Sequence, residues 1–341
     1  MKKLALIALG GNALLKDGEK GTISELERNT AETCRYLLPL IRNDWQIVLT
    51  HGNGPQVGNT LIQHELAKDV VPAMPLDVCV SETQGSLGYI LQQGILNELR
   101  RNKIERYVVT MVTQVVVDSK DQAFSHPTKP VGPFYTKDQA ETLKAEKKWT
   151  MIEDSGRGFR RVVPSPTPVK IIQRIMIKEL AQSGHIVIAV GGGGIPIYKK
   201  ADNDYEGIEA VIDKDLASSI LAAEIKAGVF IILTTVPRVF INFGKPNQQG
   251  IVRMTVSQAK KYLDENQFGT GSMKPKIESA INYLTKYDGK VIITSAEHLA
   301  AALGEPRPGG REAIEGRSGT TIISDVKKKE DEGNLLLDFS K

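Results

Sequence analysis

Apolar residues along this chain fall in short unbroken runs, and the runs alternate with longer stretches where apolar positions return every three or four residues. The runs Leu4–Leu9, Gln46–Thr50, Tyr107–Val117, His185–Val190, Val229–Val236 and Val291–Thr294 predict strands. Most are near-continuously apolar, which suits strands covered on both faces. Ser24–Arg42, Glu82–Arg101, Pro168–Gln182, Lys214–Lys226 and Ser272–Lys286 have helical spacing. Ser24 with Glu27 three residues on has the form of a capping box. Strand–helix alternation of this kind predicts an α/β fold around a mainly parallel, helix-covered sheet.

Two segments break the pattern. Residues Asp118–Pro168 are rich in Pro, Lys, Gly and Ser and hold at most a short helix, Lys137–Glu146. A structureless loop of that length inside a compact domain is unusual, so an inserted flap is expected. The last segment, Lys327–Lys341, opens on a charge run and is expected to be a solvated tail.

Composition narrows the function classes. The 341 residues are 41% hydrophobic and 25% charged, as in ordinary globular proteins, with a net charge of +4. That charge is too weak to argue for nucleic acid, and no basic stripe interleaved with aromatics is present. No apolar run approaches the ~18 residues of a membrane span, and the apolar start runs into Gly10-Gly11-Asn12 instead of a cleavage site. Two cysteines, Cys34 and Cys79, are too few for a disulfide framework and lack metal-ligand spacing. Buried thiols in a reducing, cytoplasmic compartment fit that usage.

The candidate chemistry lies where the glycines fall. Three strands run straight into small-residue turns: Leu9-Gly10-Gly11-Asn12, the stretch from Thr50-His51-Gly52-Asn53-Gly54 to Gly58, and Val190-Gly191-Gly192-Gly193-Gly194. Ligands bind open parallel sheets outside the carboxyl ends of the strands. Glycine there lets backbone N–H groups approach an anion closely, although a tight turn needing positive φ is the plain alternative for any one of them. The P-loop, the dinucleotide Gly-x-Gly-x-x-Gly and the protein-kinase motifs are all missing from the sequence. Three lysines stand in constrained turns: Lys129 between prolines, Lys214 between Asp213 and Asp215, and Lys276 entering a helix. Two of them, Lys214 and Lys276, sit at predicted helix N-termini, where the dipole favours anions, and these two read as solvent-facing lysines of a site.

At these motifs the sequence resembles the carbamate kinases of the amino-acid kinase family. The resemblance rests on Ala8–Leu14, Thr50–Gly58, Gln114–Asp118, Lys129–Tyr135, Val190–Pro196, Glu209–Asp215, Ile241–Pro246 and Gly271–Lys276. It departs from the family pattern at Lys274, where glycine is usual, at Gln258, where an acid is expected, and at Thr83, where serine is usual. The resemblance implies an open three-layer αβα sandwich over residues 1–326, with a lid insert at about 118–168 and a charged tail at 327–341. Carbamate or carbamoyl phosphate would occupy an N-lobe of about 1–190, and ADP or ATP a C-lobe of about 191–326. It also implies Mg²⁺ carried by the nucleotide phosphates, a homodimer, and a place in arginine and carbamoyl-phosphate catabolism.

By the same resemblance Lys129 belongs to the carbamoyl-phosphate side, while Lys214, Met273 and Lys276 belong to the nucleotide. Asp215 would organise the lysines. Gly10, Gly11, Asn12, Gly52, Asn53, Gly54, Gly192 and Gly193 would contact the phosphoryl oxygens. His51 reads as a hydrogen-bonded turn residue rather than an acid or base. Both reacting oxygens are already anionic in such a transfer, so positioning and charge stabilisation would carry it without a general base. The rival readings are another acyl-phosphate kinase, such as one acting on acetylglutamate, and a protein that senses nucleotide or acyl phosphate without turnover.

Overall fold

Both faces of the strand Leu4–Leu9 are buried, and its alternating side chains feed two separate cores. Leu4, Leu6 and Ala8 pack with Ile177, Leu221 and Ile277, whereas Ala5, Ile7 and Leu9 pack with Leu37, Leu87 and Leu91. This is the computed structural model of the chain, and it describes residues 3–16, 18–154, 156–269, 272–305 and 318–326. The side chain of Asn12, Gly271 and the segment 327–341 lie outside that description.

The central sheet has eight strands in the order Arg253–Thr255, Thr320–Ile323, Lys290–Ser295, Val229–Thr234, Leu4–Leu9, Gln46–His51, Ile186–Ile188 and Val108–Thr110. Its pairings are parallel except Lys290–Ser295 with Thr320–Ile323. Helices Arg174–Gln182, Lys214–Glu224, Val256–Asp264 and Met273–Lys286 cover one face. Helices Ile23–Arg42, Leu76–Arg101 and Leu299–Ala302 cover the other, giving the expected three-layer αβα sandwich. Parallel register puts Leu9 beside His51, so the glycine turns that follow share the carboxyl edge of the sheet.

Several boundaries differ from expectation for identifiable reasons. The capping box at the first helix is Thr22 with Glu25, not Ser24 with Glu27: the Glu25 amide donates to Thr22 Oγ1 and the Thr22 amide to Glu25 Oε2. The run Tyr107–Val117 is two strands, Val108–Thr110 in the large sheet and Gln114–Val117 in a second, four-stranded one. Gln84 causes the break, because its side-chain amide takes both the N–H and the C=O of Thr113. Pro168–Gln182 opens as a strand, Pro168–Ile171, antiparallel to Gln114–Val117, and turns helical only at Arg174. The β-branched Val169 and Ile171 favour that extended start. Helix Gly54–Ala67 was hidden by its Gly-Pro opening, although Pro55 sits in the first turn, where its missing N–H costs nothing.

The insert leaves the second sheet after Val117 and returns at Pro168, two residues paired with each other. It is more ordered than a loop with one helix. Strand Lys129–Tyr135 pairs antiparallel with Phe159–Val163, which pairs with Met151–Glu153, and helix Lys137–Lys147 links the first strand to the last named. Pro130 and Pro133 are tolerated because Lys129–Tyr135 is an edge strand, where a missing donor breaks no ladder on the open side.

Candidate active site

The turns at the carboxyl edge are not equivalent. A side chain at Gly11 or Gly54 would meet open space, so these backbones are free to approach a ligand. Gly10 is pressed against the Leu233 carbonyl, where a Cβ would lie 2.6 Å away. Gly52 faces the Lys214 stem. Gly192 and Gly193 are buried, and their bare faces accommodate the Asn53 amide and the Ile212 carbonyl at 2.2 and 2.3 Å from where a Cβ would be. Gln84 holds this last turn by donating to Gly191 O at 2.9 Å.

Asn53 begins helix Gly54–Ala67 but gives it no side-chain cap, since its amide donates to Thr83 Oγ1 at 2.8 Å. Helix Met273–Lys286 also lacks a side-chain cap. The start of helix Gly54–Ala67 therefore offers its first N–H groups no side-chain acceptor, the condition under which such ends bind anions, whereas at Met273–Lys286 the Lys274 amide already donates to Gly269 O at 3.0 Å and Pro275 has none to offer. His51 is buried with Nδ1 donating to the Gly52 carbonyl at 3.0 Å. Burial pushes its imidazole down to about 4, despite that hydrogen bond and with the Lys214 ammonium adding to the effect. It is thus a neutral turn residue, as its sequence context implied.

Charges line the N-terminus of helix Lys214–Glu224. Asp213 caps that helix by accepting from Asp215 N and Leu216 N, and its other oxygen accepts from Lys129 Nζ at 2.7 Å. Lys214 Nζ donates to Leu9 O at 2.9 Å and lies 2.9 Å from Asp215 Oδ1. Lys276 Nζ reaches Asp215 Oδ2 at 3.2 Å. Three lysines from distant parts of the chain and the two aspartates that flank Lys214 so form one alternating array. The Lys214 and Lys276 side chains are only 13% and 15% exposed, which corrects the expectation of solvent-facing lysines. Burial pushes the Asp215 carboxyl up, but the two ammonium groups outweigh it and hold it below the carboxylate range. Burial lowers Lys214, partly opposed by Asp215 and reinforced by Lys276.

The insert closes over the glycine turns. Lys129 starts its first strand, and Gly132 at the middle of that strand packs on Gly58 of helix Gly54–Ala67. A cavity of 580 Å³ lies between them, lined by Gly11, Lys16, Gly52, Gly54, Gly132 and Arg160 among others. Arg160 donates to the Gly132 carbonyl at 3.1 Å, contacts Asp154 at 3.3 Å and stacks over Phe134. Arg157 stacks over Phe134 too. Lys16, Arg157 and Arg160 escaped the sequence reading, although the cluster Arg157-Gly158-Phe159-Arg160-Arg161 in the insert could have flagged the two arginines.

Met273 packs partly buried against the core at the start of its helix. Lys274 is partly exposed and lies 4.0 Å from Glu278. Gln258 completes a capping box with Thr255, so the amide does locally what an acid would. No helix among the described residues is long and apolar enough to cross a membrane.

A model of the amino acid kinase family matches residues 3–295. Carbamate kinase of Thermococcus kodakarensis is 44% identical over 324 residues, 94% of this chain and 99% of that protein. Among solved structures, carbamate kinase from Giardia lamblia bound to citric acid superposes with a TM-score of 0.88 at 38% identity, covering 95% of this chain and 99% of that one. The same Giardia enzyme bound to AMP-PNP gives a TM-score of 0.85 at 39% identity, with the same coverage.

Proposed function

The chain belongs to the amino acid kinase family, among its carbamate kinases, and we propose that it moves a phosphoryl group reversibly between carbamoyl phosphate and ADP, giving ATP and carbamate. The observation that carries this reading is the Lys129–Asp213–Lys214–Asp215–Lys276 array at the edge of the glycine turns. Two polyanions must be brought together in line, and the array supplies fixed positive charge where they would meet.

In this reading carbamoyl phosphate enters the cavity under the insert. Gly11, Gly52 and Gly54 line that cavity with Arg157 and Arg160 and, with Gly10 of the Gly11 turn, offer backbone N–H groups to the substrate's phosphoryl oxygens. Gly192 and Gly193 act beneath them, letting Asn53 and Ile212 approach. The nucleotide lies over the start of helix Met273–Lys286, with Met273 against the base and Lys276 at its phosphates. Lys214, pinned by Leu9 O and Asp215, faces the transferring group, and its ammonium regains charge preference as phosphate oxygens arrive. Lys129 is drawn from Asp213 to the substrate as the insert closes and excludes water.

Both aspartates of the array are spent on lysines, so this site fits a metal carried mainly by phosphates and water. Bound in that way, Mg²⁺ would neutralise charge on the nucleotide phosphates. Homodimer formation, a cytoplasmic location and a place in arginine and carbamoyl-phosphate catabolism rest on the family resemblance alone.

Purified protein given Mg²⁺ and ADP should make ATP from carbamoyl phosphate, and given ATP should phosphorylate acetylglutamate poorly or not at all. Lys129→Ala should raise KM for carbamoyl phosphate while leaving that for ADP nearly intact. Equal activity on acetylglutamate would overturn the assignment.

A further inference from the structure

Helices Gly54–Ala67 and Leu76–Arg101 touch at a second cluster that the phosphoryl-transfer reading does not use. His64 stands near the end of the first helix, and Cys79 and Glu82 lie three residues apart on the second, hence on one face of it. Their donor atoms all lie within 4.8 Å of one another. His64 Nε2 is 3.1 and 3.2 Å from the two Glu82 oxygens. The Cys79 thiol is buried, and its hydrogen bond is a long one, 3.7 Å to Met74 O.

We propose that His64, Cys79 and Glu82 form a three-ligand site for a divalent cation of the zinc class, with water completing the tetrahedron. Nitrogen, thiolate and carboxylate are the donors such an ion takes, and three protein ligands with one open position is a known arrangement for it. Bond lengths of about 2.0–2.1 Å place adjacent nitrogen and oxygen donors about 3.3 Å apart in a tetrahedron, close to the His64–Glu82 spacing. The Cys79 sulfur, within 4.8 Å of the other donors, must draw closer to reach its ~2.3 Å bond length, giving up its contact to Met74 and shifting within the apolar cluster of Val57, Leu76 and Val80. The rim is open: the His64 and Glu82 side chains are 22% and 42% exposed. Asp77 and Glu209 add negative potential at the thiol alongside Glu82, opposed in part by Arg161.

Binding exchanges protons for metal bonds. The Cys79 S–H bond breaks and its proton goes to solvent as the thiolate–metal bond forms. His64 Nε2 must also present a lone pair, so the proton it now shares with Glu82 moves to Nδ1, or to solvent from an imidazolium. Affinity therefore rises with pH. The ion would clip together two helices that carry Asn53 and Thr83, whose hydrogen bond holds the phosphate turn from behind.

The test uses the full chain, reduced, stripped with a chelator and free of nucleotide, titrated with Co²⁺ and then Zn²⁺. One equivalent of cobalt should give tetrahedral d–d bands and a thiolate-to-metal charge-transfer band, both removed by zinc. Cys79→Ser should abolish the charge-transfer band, and His64→Ala and Glu82→Gln should each weaken zinc binding by at least about tenfold, since even outer partners of such sites matter that much. Zinc should raise the Tm of the parent protein and leave that of Cys79→Ser unchanged. Should Cys79→Ser fold poorly, the two rim variants carry the decision. Weak octahedral cobalt bands without charge transfer, or zinc affinity unchanged in both rim variants, would overturn the proposal.

Discussion

Asp215 shares one buried carboxylate between two ammonium groups, and its removal tests what holds the site's charge. In Asp215→Asn, burial and Lys276 still lower Lys214, but the opposing carboxylate is gone. The alkaline limb of kcat/KM should therefore move to lower pH, alongside a loss of activity of about a hundredfold or more, the scale for a preorganised charge contact. A limb that stays in place would mean Lys214 is not the group that must remain protonated. His51 makes the complementary case for stability. Its folded value is about 4, while an unfolded imidazole titrates near about 6.5. The folded state thus binds fewer protons between those values, and stability is lost as pH falls from the upper to the lower. The loss is on the order of 3 kcal/mol. Urea unfolding of parent and His51→Gln across that window should show a shallower acid slope in the variant; equal slopes would contradict a neutral buried ring.

At the scale of elements, the backbones of the insert and helix Gly54–Ala67 come close at two glycines. A Cβ on Gly58 would lie 2.0 Å from the Gly132 backbone, so Gly58→Ala must push the strand Lys129–Tyr135 outward. Carbamoyl-phosphate use should fall by roughly ten- to a hundredfold, the effect of misplacing a binding group by about 1 Å, while ADP affinity is kept. Initial rates at varied levels of each substrate separate the two, and an equal loss for both would place the strand elsewhere in the cycle. This contact could not be read from the sequence, because a helix opening on Gly-Pro and an edge strand holding two prolines both look like loops. The strands Leu4–Leu9 and Val229–Thr234 were legible because burial on both faces leaves an unbroken apolar run. Val108–Thr110 and Gln114–Val117 were fused for the same reason, since the Gln84 side chain that separates them is remote in sequence.

For the whole molecule, the carboxyl edge of the sheet gathers what the chain keeps far apart. The glycine turns and the three lysines could be picked out singly, because each sits in a constrained turn. Their joining through Asp213 and Asp215, and the burial of Lys214 against Leu9 O, come only from tertiary packing. So does the wall of the cavity where Arg160 is fixed by Gly132 and Phe134. The central claim is that this assembly passes a phosphoryl group directly from carbamoyl phosphate to ADP. Phosphorus NMR of the protein with Mg²⁺, ADP and carbamoyl phosphate follows the atom itself. The account predicts that the carbamoyl-phosphate signal is replaced, one for one, by the γ-phosphate of ATP, and that Lys214→Ala and Lys276→Ala slow this by about a hundredfold or more. Decay into inorganic phosphate alone, at the rate seen without protein, would contradict it.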